Sequence, residues 1–137
     1  MGKKKKEFVK VADEIVLRLK DAGFVIQRYD AYSTDSIYLK LDYGISHSIR
    51  ISGHSGKKHL KYTYNVLKDY DGKTFIKEGN LWRQYYSFSQ LDDLIASIIK
   101  NRAWIKENYH PNYEASMEKS RLANEGKRGF WSQAAIV

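Results

Sequence analysis

The sequence predicts an α+β fold: a mainly antiparallel sheet of about five to six strands, flanked by an N-terminal helix and one or two C-terminal helices. Helix-spaced apolar residues lie near the two ends of the chain, at 8–22 and 91–105. Between them the apolar residues alternate with period two, the spacing of strands with one buried face. Glycine-containing turn signals punctuate that middle region, at Tyr43-Gly44, Asp71-Gly72 and Gly79-Asn80.

The first helix rests on Phe8, Val11, Ala12, Ile15, Leu19 and Ala22, with Gly23 placed to end it in a left-handed conformation. Phe24–Tyr32 follows as a strand, with Ser33-Thr34-Asp35 as its turn. Ser36–Asp42 is a second strand, its Ile37, Leu39 and Leu41 inward and its Tyr38, Lys40 and Asp42 outward. In the third, Ile45, His47, Ile49 and Ile51 face the core, and Ser46, Ser48, Arg50 and Ser52 face out. Gly53 then lets the chain turn. Leu60–Leu67 makes a fourth strand, and Thr74–Lys77 with Leu81–Phe88 a hairpin.

Ser87 and Gln90 have capping-box spacing, with Tyr86 and Leu91 as a hydrophobic staple. They open a helix whose stripe is Leu91, Leu94, Ile95, Ile98, Ile99 and Ile105. Pro111 separates it from a weakly amphipathic segment at Tyr113–Glu125. The organisation expected is a disordered basic tail at 1–7, an α+β domain at 8–110, and a helical extension with an apolar tail at 111–137. Six of the last eight residues are apolar. That composition predicts a buried tail, packed on its own domain or in a homodimer.

The chain has 137 residues, a formal charge of +8, eleven tyrosines and no cysteine. Without cysteine there are no disulfides or thiolate metal sites, which suits a reducing cytoplasm. No apolar run is long enough to span a membrane, and no signal peptide is evident. The positive balance points to acidic partners. Lys3, Lys4, Lys5 and Lys6 form a polybasic arm. From Gly44 through Lys68 there are five Lys or Arg residues and no Asp or Glu. A binding corner is expected there, made of Arg50 and His54 with Lys57, Lys58, His59 and Lys61 around them.

His47 is expected as a core histidine. His54 and His59 fit no zinc spacing, so no metal or other cofactor is expected. Walker, GxSxG and HExxH patterns are absent, which argues against an enzyme. Tyr62, Tyr64, Tyr70, Trp82, Tyr85 and Tyr86 interleave with Lys61, Lys68, Lys73 and Arg83. Aromatics set among cations grip both single strands and protein partners.

Asp35-Ser36-Ile37-Tyr38, Tyr43-Gly44 and Ile49-Arg50-Ile51-Ser52-Gly53-His54-Ser55 resemble a pattern in small phage proteins. In particular the chain looks like a family of anti-CRISPR proteins that inhibit type II effector nucleases and carry a basic, flexible N-terminus. Where that family tends to have Asn or Asp, this chain has Gly53. The resemblance covers roughly residues 1–105 in arrangement. It implies a host CRISPR effector nuclease, or its guide RNA complex, as partner. The alternatives are a non-catalytic DNA- or RNA-binding phage accessory protein and a small metal-dependent nuclease using His54 and His59.

Overall fold

The computed structural model describes residues 6–31, 34–53, 62–68, 70, 83–125 and 135–137. Helix α1 spans Lys6–Asp21 and is followed by strands β1 (Ile26–Asp30) and β2 (Ile37–Leu41). A short 3-10 turn, Asp42–Gly44, leads into β3 (Ser48–Ser52), β4 (Tyr64–Leu67) and β5 (Gln84–Ser87). Helices α2 (Leu91–Asn108) and α3 (Tyr113–Asn124) come next, and β6 (Ala135–Ile136) closes the chain. The expected α+β fold is present.

Helix α1 buries Phe8, Ala12, Ile15, Val16 and Leu19, as its periodicity requires. It ends in a Schellman motif. Phe24 N–H donates to Leu19 O at 3.0 Å and Gly23 N–H to Lys20 O at 2.9 Å, with Gly23 at φ 88°. Leu19 and Phe24 then share the core. The helix begins at Lys6, so Lys6 and Glu7, expected in a disordered tail, are exposed residues of the first helical turn; residues 1–5 lie outside the described residues.

The sheet has six strands in the order β5-β4-β3-β2-β1-β6. Its β6-β1-β2-β3 half is antiparallel, whereas β3, β4 and β5 run parallel. Parallel central strands are buried on both faces, and all four residues of β4 are buried. On one face Ile26, Ile37, Leu39, Leu41, Ile49, Ile51, Tyr64 and Val66 pack with α1 and with Leu94, Ile95 and Ile98 of α2.

Several expectations change. Ile99 of the predicted stripe is 41 % exposed. Ser87 and Gln90 do not form the capping box, because Ser87 ends β5 and Gln90 is itself the N-cap of α2; Ser87 N–H donates to Gln90 Oε1 at 3.0 Å, while Ser87 Oγ bonds Ser89 Oγ. Gly53 does not take a positive φ among the described residues; its value is space, since a Cβ there would lie 3.1 Å from Phe8 Cζ. The described end of the tail is exposed rather than buried, because β6 attaches to its own domain through backbone pairing with β1 and leaves Ile136 61 % exposed. Residues 130–134 and the first strand of the predicted hairpin lie outside the described residues.

Candidate functional site

The expected binding corner is mostly beyond description. Lys3, Lys4, Lys5, His54, Lys57, Lys58, His59 and Lys61 all lie outside the described residues. Arg50 does not, and it corrects the sequence reading. It is 2 % exposed rather than presented on an open strand face.

The strand alternation placed Arg50 on the correct side of β3, opposite Ile49 and Ile51. That far face is itself covered at its centre, where Ser36, Ser52, Asn65 and Leu67 are also buried. Register sets a transverse row across it: Tyr29, Tyr38, Arg50, Asn65 and Tyr85 are successive partners on β1 to β5. Tyr38 stacks against Tyr29 at 6.4 Å and tilts against Tyr62 at 5.3 Å. Arg50 Nη2 donates to Ser52 Oγ at 2.9 Å, and its Nε has no partner. Asp42 is not its counter-ion. Of the residues that carry the phage-protein resemblance, Ser36, Ile37, Ile49, Arg50, Ile51 and Ser52 are interior, whereas Asp35, Tyr38, Tyr43, Gly44 and Gly53 are half-buried.

Asp42 belongs to a different centre. It was expected at the outward end of a strand, yet it is 0 % exposed with φ 50°. The left-handed backbone ends β2 there and turns the carboxylate inward. Val25 N–H donates to its Oδ1 at 2.9 Å and Tyr113 OH to its Oδ2 at 2.6 Å. Arg102 Nη1 lies 3.5 Å from Oδ2. The hydroxyl of Tyr113 has one proton, so it accepts from Ser46 Oγ at 2.7 Å. Arg102 also donates to Ala22 O at 2.6 Å and covers the Phe24 ring. Burial, with the Asp42 hydrogen bond next, pushes the Tyr113 phenol well above its ordinary range. This network joins α1, β1, α2 and α3; its chemistry is structural.

An open cleft lies beside it. The parallel strands β3, β4 and β5 all start at one end of the sheet, where the last turns of α2 pass. Between them is a cavity of about 660 Å³ lined by Ile45, His47, Thr63, Gln84, Asn101, Trp104, Ile105, Tyr109 and His110. His47 was expected inside a strand. It sits instead just before β3 with φ 73°, because the turn Asp42–Ser46 displaces the strand start to Ser48. Its ring is 6.5 Å from that of Tyr64, and burial lowers its pKa.

Several polar groups of the cleft are fixed by their neighbours. Asn101 Nδ2 donates to Tyr64 OH at 2.7 Å, leaving Asn101 Oδ1 as the remaining acceptor. Gln84 Oε1 accepts from Tyr86 OH at 2.5 Å, leaving its amide N–H groups as donors. His110 Nδ1 bonds Ser116 Oγ at 3.0 Å. Trp104 and Tyr109 form the aromatic rim, edge to face with centroids 5.0 Å apart. Sequence reading missed this cleft, since its residues come from four separated stretches; the one local sign was Trp104, lying off the Leu94–Ile98–Ile105 stripe.

No described helix is long and apolar enough to cross a membrane, and the described residues hold no cluster of three or more His, Asp or Glu arranged for a metal ion. Comparison of the chain with protein-family models, curated proteins and solved structures finds no match.

Proposed function

We propose that this protein is a non-catalytic inhibitor of the phage type that binds the nucleic-acid part of a host nucleoprotein in the cytoplasm. A CRISPR effector nuclease with its guide RNA is the partner that the sequence resemblance implies. The carrying observation is the distribution of charge. Five lysines, Lys3, Lys4, Lys5, Lys6 and Lys10, face a single acid, Glu7, in the first ten residues, which is half of the net +8. Glu7 is already engaged by Lys68 Nζ at 2.5 Å. Lys6 and Lys10 are exposed on α1 and form no ion pair among the described residues. Cations so placed gain affinity by displacing counterions from phosphates.

The test is capture of tagged protein from a bacterial lysate, with and without nuclease treatment. Nucleoprotein that co-purifies and is lost on nuclease treatment supports this reading; capture indifferent to nuclease contradicts it. Target cleavage by a guide-loaded type II effector should fall when the chain is added. Undiminished cleavage would leave nucleic-acid binding without the inhibitory role.

A further inference from the structure

We propose that the cleft between the β3–β5 strand starts and the end of α2 holds one unpaired nucleobase. The inference rests on the nucleic-acid reading above and names the part of the partner that this cleft takes.

Its volume, about 660 Å³, falls within the ~300–1,000 Å³ usual for small-molecule sites. No Lys, Arg, Asp or Glu is among its described lining residues. A phosphate or carboxylate entering it would lose its hydration without gaining a counter-charge. The described lining, apolar and aromatic with amide, hydroxyl and imidazole groups, suits a neutral, polar-edged group.

Two amides of the cleft are oriented by their neighbours and together offer both donors and acceptors. Gln84 keeps its amide N–H groups because Tyr86 OH donates to its oxygen, and Asn101 keeps Oδ1 and a second amide N–H because only one N–H is given to Tyr64 OH. Thr63, His47 and His110 add further donor and acceptor capacity. A mixed donor–acceptor edge is what an unpaired base exposes, and unpaired bases are read by such edges together with aromatic stacking. The stacking surface is present: Trp104 is 42 % and Tyr109 63 % exposed at the rim. Base–aromatic stacking tolerates every base because each has a π-face.

Backbone strain coincides with the same place. His47 holds φ 73°, a conformation that non-glycine residues rarely adopt and that concentrates at ligand sites. Lys100, four residues before Trp104 on α2, is an exposed cation on the same helix face.

The test uses the full chain and two sets of probes. The four uncharged ribonucleosides are titrated one at a time while backbone and indole resonances are followed. Two RNA strands of equal length and charge, one with bases and one abasic, are then compared by affinity. The expected result is nucleoside-induced shifts centred on His47, Thr63, Gln84 and Trp104, with about tenfold tighter binding of the base-bearing strand. Trp104→Ala and Tyr109→Ala, both exposed, should each reduce that preference toward one. Equal binding of the two strands, with no nucleoside shifts, overturns the proposal while leaving phosphate binding intact. If neither strand binds, the basic-tail reading fails and the nucleoside shifts alone decide the cleft.

Discussion

The hydroxyl of Tyr113 donates a 2.6 Å hydrogen bond to the carboxylate of Asp42, 71 residues earlier in the chain. Both groups are buried, and the bond fixes the start of α3 against the turn that ends β2. Ser120 Oγ reinforces the docking by donating to Tyr43 O at 2.7 Å. Position 42 must combine a positive φ with a short acceptor side chain, which Asp and Asn tolerate better than most residues. Gly44 follows at φ 98°, where a Cβ would meet Lys40 Cε at 3.0 Å.

Removing that carboxylate should be costly. Asp42→Ala strands Arg102, whose side chain is 14 % exposed, and leaves Val25 N–H and Tyr113 OH without their acceptor. Losing one partner of a buried pair costs about 3–5 kcal/mol. Tyr113→Phe leaves the Arg102 and Val25 contacts in place, so about 1–3 kcal/mol is expected. Chemical denaturation of the two variants checks the order. Equal and small losses would show that the network contributes little.

Arg50 provides a separate test of its interior position. Arg50→Ala should lower stability by about 2–5 kcal/mol, as large-to-small core substitutions do. An exposed strand position would cost no more than about 0.5 kcal/mol. Arg50→Met should recover much of the loss, because a buried charge replaced by an apolar side chain of similar length is often neutral. A silent Arg50→Ala in urea denaturation would return this residue to the surface.

The pH profile follows from buried phenols and one imidazole. Burial pushes both Tyr62 and Tyr64 from 10.0 up to about 12. Their contribution is complete below pH 10. Above it the unfolded chain releases its protons first, so stability falls between pH 10 and about 12. Tyr64→Phe should flatten that decline. His47 has the opposite sign: its pKa is lowered from 6.5, so its contribution is complete above that value and is lost as pH falls further. His47→Asn, which keeps a side chain tolerant of positive φ, should weaken the acid sensitivity. Unfolding midpoints measured across the pH range read both effects. A curve unchanged by either substitution would contradict the assignment.

The two main helices and β2 were legible because each buries one face and keeps its own period: Leu19 and Ile15 on α1, Leu94 and Ile98 on α2, Ile37 and Leu39 on β2. Strand direction was not. Alternation in Tyr64–Leu67 is the same whether β4 runs parallel or antiparallel to β3, and period two says which face a residue takes without saying whether that face is covered. Arg50 was misplaced for that second reason. Asp42 was misplaced because its left-handed backbone breaks the alternation, and its partners Arg102 and Tyr113 are distant in sequence. The cleft depends on three strand starts sharing one end of the sheet, a consequence of the parallel pairing that alternation could not reveal.

The basic arm is the centre of the functional account, and its direct measurement is the salt dependence of binding to a single-stranded RNA. The full chain is compared with a variant carrying Lys3→Gln, Lys4→Gln, Lys5→Gln and Lys6→Gln. Each lost phosphate contact should make the slope of log affinity against log salt shallower by about 0.7, hence by up to about 2.8 for all four. The thermal midpoint should stay unchanged, since the substituted residue that the structure describes, Lys6, is exposed. A slope identical in the two proteins, with equal affinity, would contradict phosphate recognition by this arm.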